Sequence, residues 1–333
     1  MKKLLAVMLS VIMVFSFAAC AGKSANNEGE SQTEETTTIR IGAMAGPTAM
    51  GMVKLRKDSE DGNTKNTYAF EDFATDASAF VTPLASGEID IAAVPSNLAA
   101  NIYNKTEGKV QVVAVNTLGV LNLVERGNSV NNISDLKGKT LYATGMGAVP
   151  EYTIRYILSA NGLDADKDVD IVWCSDTTEA LSKLKAQDGA IAVLPQPFVT
   201  AASAQISDLR VVMDFNDAWD KVNSTSKIVT GVIVVRKEFA DKYPEQLKQF
   251  IEEYKASVEY TSTNVDETAQ LIADYGVVAS ATIAKKALPK CHIVCYTNND
   301  MKDALKGFLK VLYDQNPKSV GGSMPEDDFY YEY

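Results

Sequence analysis

At 333 residues the chain is long for one domain and comfortable for two, and 46% of it is hydrophobic, enough to bury a sizeable core. Its formal charge is −11, and nearer −13 if a basic start carrying Lys2 and Lys3 is removed (30 basic residues against 43 acidic). That balance argues against a nucleic-acid binder, which needs basic patches to neutralise phosphate. It leaves the sign of a local ligand site open.

The N-terminus reads as a targeting signal. Met1–Lys3 is basic, and Leu4–Ala19 is an apolar run broken by Ser10 and Ser16. The run is shorter than the ~20 residues of a membrane span. Ala18 and Ala19 precede Cys20 as small residues do at a signal-peptide cleavage site. Phe17-Ala18-Ala19-Cys20 resembles the lipobox of bacterial lipoproteins, although Phe17 stands where leucine is usual. The resemblance implies cleavage before Cys20 and acylation of that residue. Residues 1–19 are then a signal peptide, and 20–37, polar and acidic, a tether. No other segment is apolar enough to span a bilayer, so the expected mature protein is soluble apart from its lipid.

Beyond the tether, Thr38–Ala43 alternates and is rich in β-formers, which predicts the first strand. A helix starts near Thr48, and Thr67–Phe73 is a second strand. Ala77–Ala85 reads as a helix stopped by Gly87, and Ile89–Val94 as an apolar strand ending at Pro95. Ser96 and Asn97 are both good N-caps for the next helix. Val110–Val115 is a buried strand ending at Asn116-Thr117, followed by a strand over Val120–Val124.

Ser134–Gly138 is a short helical turn ended by glycine. Gly138–Leu158 then reads as strand, glycine-rich turn and helix, with Pro150 in the helix's first turn. In open α/β sheets such a turn lies where ligands bind, and the helix start offers backbone N–H groups. Gly145-x-Gly147 lacks the third glycine and the following acid of a dinucleotide fingerprint. Val169–Trp173 and Leu209–Phe215 are strands. Thr177–Ala186 is a helix capped by Asp176 or Thr177, and Asp217–Val222 a short helix.

Two segments echo one another. LASGEIDIAAVP (84–95) aligns without a gap on LKAQDGAIAVLP (184–195), with Leu, Ile, Ala and Pro matched at an offset of 100. IRIGAMAG (39–46) resembles TLYATGMG (140–147) at an offset of 101. Matches in the same order at nearly the same spacing predict two similar α/β lobes. Ile228–Arg236, a long apolar run containing Gly231, reads as the return to the first lobe. The remainder is mainly helical: one helix opens at Pro244, one is capped by Asn264, one by Ser280, and a last one by Asn299 or Asp300. The tail Met324–Tyr333 is acidic and aromatic, and nothing in its pattern assigns it a place.

Three stretches carry a family resemblance: ASGEIDIAAVPSNLAANIY (85–103), SDLKGKTLYATGMGAVPEYTIRYILSANGL (134–163) and AQDGAIAVLPQPFVTAA (186–202). The chain resembles the substrate-binding proteins of ABC transporters, most of all the nitrate/sulfonate/taurine/thiamine-pyrimidine group. The resemblance implies a class II periplasmic-binding-protein-like α/β fold, with two lobes, a ligand cleft between them and two crossovers. These would lie near Leu123–Arg126 and Thr230–Val232, giving one lobe over 38–124 plus 231–333 and another over 125–230. It implies a monomer anchored through lipid on Cys20 at the outer face of the cytoplasmic membrane. The protein would deliver a small organic solute or anion to permease and ATPase subunits.

The same resemblance places ligand contacts in the loops after the strands. The first lobe then offers Pro47, Thr48, Met50, Ser96, Asn97, Asn116 and Thr117. The second offers Met146, Gly147, Ala148, Gln196 and Pro197, with Asp214 and Trp219 able to line the cleft. Ser96 and Asn97 could equally act only as caps, and Trp219 could stack on a ring or simply pack. These hydroxyls, amides and helix-start N–H groups suit an anion or a polar ring. No arginine is forced into the cleft, which favours a polar heterocycle or small organic solute over a strongly charged oxyanion.

No catalytic set is visible, because His292 is the sole histidine and any histidine-dependent nucleophile would rely on it. Cys291 and Cys295 on a strand would sit about 13 Å apart, beyond disulfide reach. With His292 they fall short of four structural metal ligands, so no metal or other cofactor is expected. Buried thiols are the expectation for both and for Cys174. The alternative functions are a ligand-sensing lipoprotein and a thiamine-pyrimidine biosynthetic enzyme of the same architecture.

Overall fold

A computed structural model describes residues 37–333. The expected signal peptide, Cys20 and nearly all of the tether lie outside the described residues. The first lobe opens with β1 (Ile39–Ala43), α1 (Pro47–Met50), α2 (Val53–Glu60) and β2 (Tyr68–Phe70). A 3-10 turn over Ala77–Phe80 is capped by the Asp76 carboxylate, which accepts from the Ser78 N–H, and it runs into α3 (Val81–Ser86). Then follow β3 (Ile91–Pro95), α4 (Ser96–Lys105) and β4 (Val110–Leu118).

The chain crosses and builds β5 (Leu121–Arg126), β6 (Thr140–Ala143), α5 (Val149–Ala160), β7 (Asp170–Trp173) and α6 (Thr177–Ala186). That lobe ends with β8 (Ile191–Pro195), α7 (Phe198–Gln205), β9 (Leu209–Asp214) and α8 (Phe215–Val222). The return strand is β10 (Val229–Arg236), followed by α9 (Lys237–Lys242), α10 (Pro244–Thr263), α11 (Val265–Asp274), α12 (Ala281–Ala287), β11 (Ile293–Tyr296) and α13 (Asn298–Gln315).

The strands form two sheets, in the orders β11-β4-β10-β3-β1-β2 and β7-β6-β8-β5-β9. The second order, read backwards, matches the first without its edge strand β11. β1 pairs in parallel with β2 and β3, as β6 does with β7 and β8. The next strand in each sheet is antiparallel: β10 beside β3, and β5 beside β8. The sequence echo therefore has a structural meaning. Leu84 and Leu184 lie on α3 and α6, and Ile91 and Ile191 on the matching strands β3 and β8.

The crossovers differ from those expected. The chain changes sheet at Gly119-Val120, because β5 already belongs to the second sheet, and not at Leu123–Arg126. It returns through Asn223–Ile228, ahead of the expected Thr230–Val232. Both shifts have one cause. Each crossing strand is buried from its first residues, so the apolar run begins where the new sheet begins.

Local signals also sort by context. Asp176 and Ser280 cap α6 and α12 as expected. Ser96 and Asn97 do not cap α4, whose cap position is Pro95. The Ser96 hydroxyl instead donates to the Val229 carbonyl at 2.6 Å, tying α4 to the return strand. Asn264 likewise makes no side-chain cap. The aromatic tail does pack back. Phe329 is fully buried, Asp327 meets Lys306 at 3.1 Å, and the Tyr331 N–H donates to the Val112 carbonyl at 2.9 Å beside a parallel bridge between Val112 and Tyr330.

One buried charge holds the first sheet together. Asp90 is 2% exposed. One carboxylate oxygen accepts from the Arg40 backbone N–H (3.0 Å) and Nε (2.8 Å), and the other from Arg40 (2.7 Å) and Arg236 (2.9 Å). Burial alone would push this carboxyl up, but the hydrogen bonds and charges of the two arginines prevail and hold it below the ordinary carboxylate range. Its contribution is therefore complete above the unfolded value of ~3.9 and is lost as pH falls through the lower folded value. Asp90→Asn should cost about 3 kcal/mol at neutral pH, the low end for breaking a buried pair because Arg40 is partly exposed. Urea denaturation at pH 7 and at pH 3 checks this, since the wild-type advantage must shrink in acid.

Candidate functional site

The expected first-lobe residues gather where β4 meets α1. β4 runs to Leu118, so Asn116 and Thr117 lie within the strand and not in a loop after it. Gly231 of β10 pairs with Thr117 while Val232 pairs with Val115, which leaves Asn116 as the extra residue of a β-bulge. Gly231 is glycine for steric reasons. A Cβ there would stand 2.5 Å from both Asn116 Oδ1 and Thr48 Cγ2.

Asn116 Nδ2 donates to the Thr48 carbonyl at 2.9 Å, and the Thr48 hydroxyl donates to the Met44 carbonyl at 2.6 Å. Thr48, Met50 and Ser96 are buried, and their polar groups serve the fold. Pro47 is half-buried at the start of α1, and Asn97 is 8% exposed in the first turn of α4. Two atoms here are among nine buried side-chain atoms of the described residues that lack a partner. Asn116 Oδ1 and Thr117 Oγ1 are buried and have no hydrogen-bond partner among the described residues. Such groups are costly unless something outside the chain meets them. The Tyr254 hydroxyl, from α10, reaches the Asn116 side chain. It lies 2.7 Å from where a Cβ on Gly51 would be, and burial pushes its pKa far up.

In the second lobe the glycine turn has the expected shape, with φ of 81° at Gly145 and 78° at Gly147. Its chemistry is different. The Gly147 N–H donates to Glu151 of α5 at 2.6 Å, and Glu151 is braced by Arg155 at 2.8 Å. The helix thus supplies its own anion to its own N-terminus. The signal was present, since an acid in the first turn of a helix is the usual companion of that dipole. Met146, 69% exposed, and Gly147 line an open cavity of about 630 Å³ with Tyr152 and the end of α13, Gln315 and Asn316. Ala148 is the cap position of α5 and brings no side-chain bond. Gln196 is buried, accepts from the Thr200 hydroxyl at 2.8 Å and precedes a cis peptide to the buried Pro197.

Asp214 and Trp219 play structural parts. The Asp214 carboxylate caps α8 by accepting from the Asn216 N–H at 2.8 Å. Trp219 is fully buried between Tyr156 and Phe308, ring centroids 4.5 and 5.5 Å away, and its indole N–H donates to the Ser226 carbonyl at 3.1 Å. Nothing is left of that indole for a ligand ring. The thiols are buried or half-buried and free. Burial pushes Cys291 up to about 12 and Cys295 up to about 11, and it raises Cys174 as well.

Two matching sheets, the first completed by strands that return after the second, with polar atoms at a bulge beside the crossover, narrow the comparison. The profile of the family described as "ABC transporter, phosphonate, periplasmic substrate-binding protein" matches residues 71–287. The chain belongs to this family. It is accordingly the periplasmic substrate-binding component of an ABC transporter, a class of protein that binds small ligands and works with permease and ATPase subunits. Among the described residues no helix is long and apolar enough to cross a membrane.

The chain is also similar to a solved ABC transporter protein from Parabacteroides distasonis, with 25% identity over 89% of this chain and 99% of that one (TM-score 0.74). The periplasmic aliphatic sulphonate binding protein SsuA from Escherichia coli shares the fold at 16% identity, covering 89% and 92% of the two chains (TM-score 0.71). The alkanesulfonate-binding protein SsuA from Xanthomonas axonopodis, solved with MOPS, does so at 12% identity, covering 88% and 96% (TM-score 0.61). No curated protein matches the chain.

The bulge supplies a direct check on this half of the site. Gly231→Ala forces a methyl group against Asn116 and Thr48, and overpacking of this kind costs about 1–3 kcal/mol. A lower midpoint in chemical denaturation is expected; an unchanged one would mean that α1 yields freely and does not fix Asn116.

Proposed function

We propose that this substrate-binding protein captures a small organic solute whose oxygen-rich head is met by neutral donors, and that it does so as a monomer tethered by lipid on Cys20. The observation that carries the ligand class is the fate of the arginines. All six are engaged by carboxylates: Arg40 and Arg236 by Asp90, Arg56 by Glu60, Arg126 by Asp188 and Asp208, Arg155 by Glu151 and Asp166, and Arg210 by Glu125. With every arginine engaged, hydroxyls, amides and helix-start N–H groups are the donors assigned to the head group. The unpaired Thr117 hydroxyl, the Asn116 amide oxygen and the first turn of α4 at Asn97 are the first-lobe candidates. Pro47 and Thr48 on α1 and Met146, Ala148, Gln196 and Pro197 across the cleft would frame the ligand. The family description names phosphonate, a more strongly charged head than the engaged arginines favour, whose oxygens could still accept from these donors.

A thermal-shift panel of alkylphosphonates, alkanesulfonates, nitrate and pyrimidines tests the reading. A ligand present at a hundredfold its Kd stabilises the native state by about 2.7 kcal/mol, which reads as several degrees. Thr117→Val should leave the ligand-free protein as stable or about 1 kcal/mol more so, because it removes an unpaired buried hydroxyl, while weakening binding about tenfold. Full affinity in that variant would move the site elsewhere, and no response to any organic solute would remove the ligand class. The anchor has its own test in metabolic labelling with a fatty acid. Cys20→Ser should lose the label and be shed from the membrane; a variant that keeps the label would rule out Cys20 as the acylated residue.

A further inference from the structure

Both crossovers touch one short helix. The Gly119 carbonyl, at the first crossover, lies 2.8 Å from Asn216 Nδ2 on α8 and 2.7 Å from His292 Nδ1, which precedes β11 in the other lobe. A ring nitrogen that close to a carbonyl oxygen carries the proton, so the oxygen accepts from both lobes at once. Each donor is fixed in turn. Asn216 Nδ2 also donates to Asp214 at 2.9 Å, and the His292 carbonyl accepts the Leu118 N–H at 3.1 Å. A side chain at Gly119 would displace the Asn216 amide, because its Cβ would stand 2.3 Å from Asn216 Oδ1.

At the second crossover the Ser226 carbonyl accepts from Trp219. Ser226 in turn packs on Gly307 of α13, where a Cβ would come within 2.6 Å. Asn216 and Trp219 are three residues apart, hence on the same face of α8.

We propose that α8 is a hinge clamp: through Asn216 and Trp219 it holds one backbone carbonyl of each crossover, and the shared Gly119 carbonyl locks the two lobes at one angle. A rotation about the Gly119–Val120 backbone turns that carbonyl away from one of its two donors. Movement of the lobes relative to each other therefore breaks a hydrogen bond at the pivot, and the clamp sets the balance between lobe angles before any ligand arrives. Asn216, Trp219 and His292 are positioning residues on this account. None needs to touch the ligand.

The test is made without ligand, so it stands apart from the ligand class proposed above. Spin labels carried by unnatural amino acids at the exposed positions 72 and 188, one in each lobe, report the interlobe distance distribution of the full chain in detergent. Asn216→Ala, Trp219→Phe (which keeps an aromatic ring and loses the N–H) and His292→Gly (which suits the left-handed φ of 47° there) each remove a donor to a crossover carbonyl. Each should raise the ratio of displaced to wild-type distances about 2- to 10-fold, as one hydrogen bond predicts. Asp176→Ala, which removes the cap of α6 away from both crossovers, should lower the melting temperature and leave the distances unchanged. Distances matching the wild type in Asn216→Ala and Trp219→Phe would overturn the proposal, as would an equal change in Asp176→Ala. Circular dichroism confirms that each variant is folded before it is scored.

Discussion

The first sheet is completed only by strands that follow the second sheet, whose own strands, β5 to β9, are consecutive in the chain. β5 enters the second sheet from the first lobe and β10 enters the first sheet from the second lobe, and each lies between two strands, antiparallel to both. Burial of the return strand is nearly total, with only Thr230 and Arg236 partly open. The interior strand of each lobe is thus one end of a crossover. The two lobes cannot separate by more than a pivot without pulling a strand out of a core, which is why motion must be confined to a few residues at Gly119-Val120 and Asn223–Ile228.

That constraint also explains why polar groups collect at one end of the first sheet. The bulge at Asn116 lies directly before the first crossover, and Gly231 lies directly after the second. Backbone pairing is irregular there because both strands are about to leave, or have just joined, the sheet. Irregular pairing brings Asn116 and Thr117 together beside α1 and leaves their outer atoms unpaired. The position of this polar cluster follows from topology, and its chemistry from which side chains the bulge brings together.

Much of this was legible in the sequence. The echo of residues 84–95 in 184–195 is the visible trace of equivalent helix–strand units, because both units bury the same face against the same kind of neighbour. Helix caps that stand alone, such as Asp176 and Ser280, could be read locally. Ser96 could not, since its hydroxyl answers to Val229, 133 residues away. Trp219 and Asp214 sit after a strand where ligand contacts are common, and only the packing of Tyr156 and Phe308 shows that the indole is spent inside. Glu151 was hidden for the opposite reason. Its role is local, but a glycine turn draws attention to what it might bind from outside, not to a carboxylate four residues further on. His292 looked like a fragment of a metal motif because its partner in space, Gly119, is 173 positions distant.

The acidic aromatic tail has a consequence for how this protein keeps to itself. β11 pairs with β4 only around Val115 and Thr117, and the tail takes over at Val112, through Tyr330 and Tyr331. Asp327, drawn in by Lys302 and Lys306, and the buried Phe329 pin it there. The two short pieces together cap one border of the larger sheet. Without the tail, half of a long and almost wholly buried strand would offer bare backbone groups to any passing chain, the usual opening for edge-to-edge aggregation. A finished sheet border is a safeguard against self-association wherever copies of such a protein are crowded together.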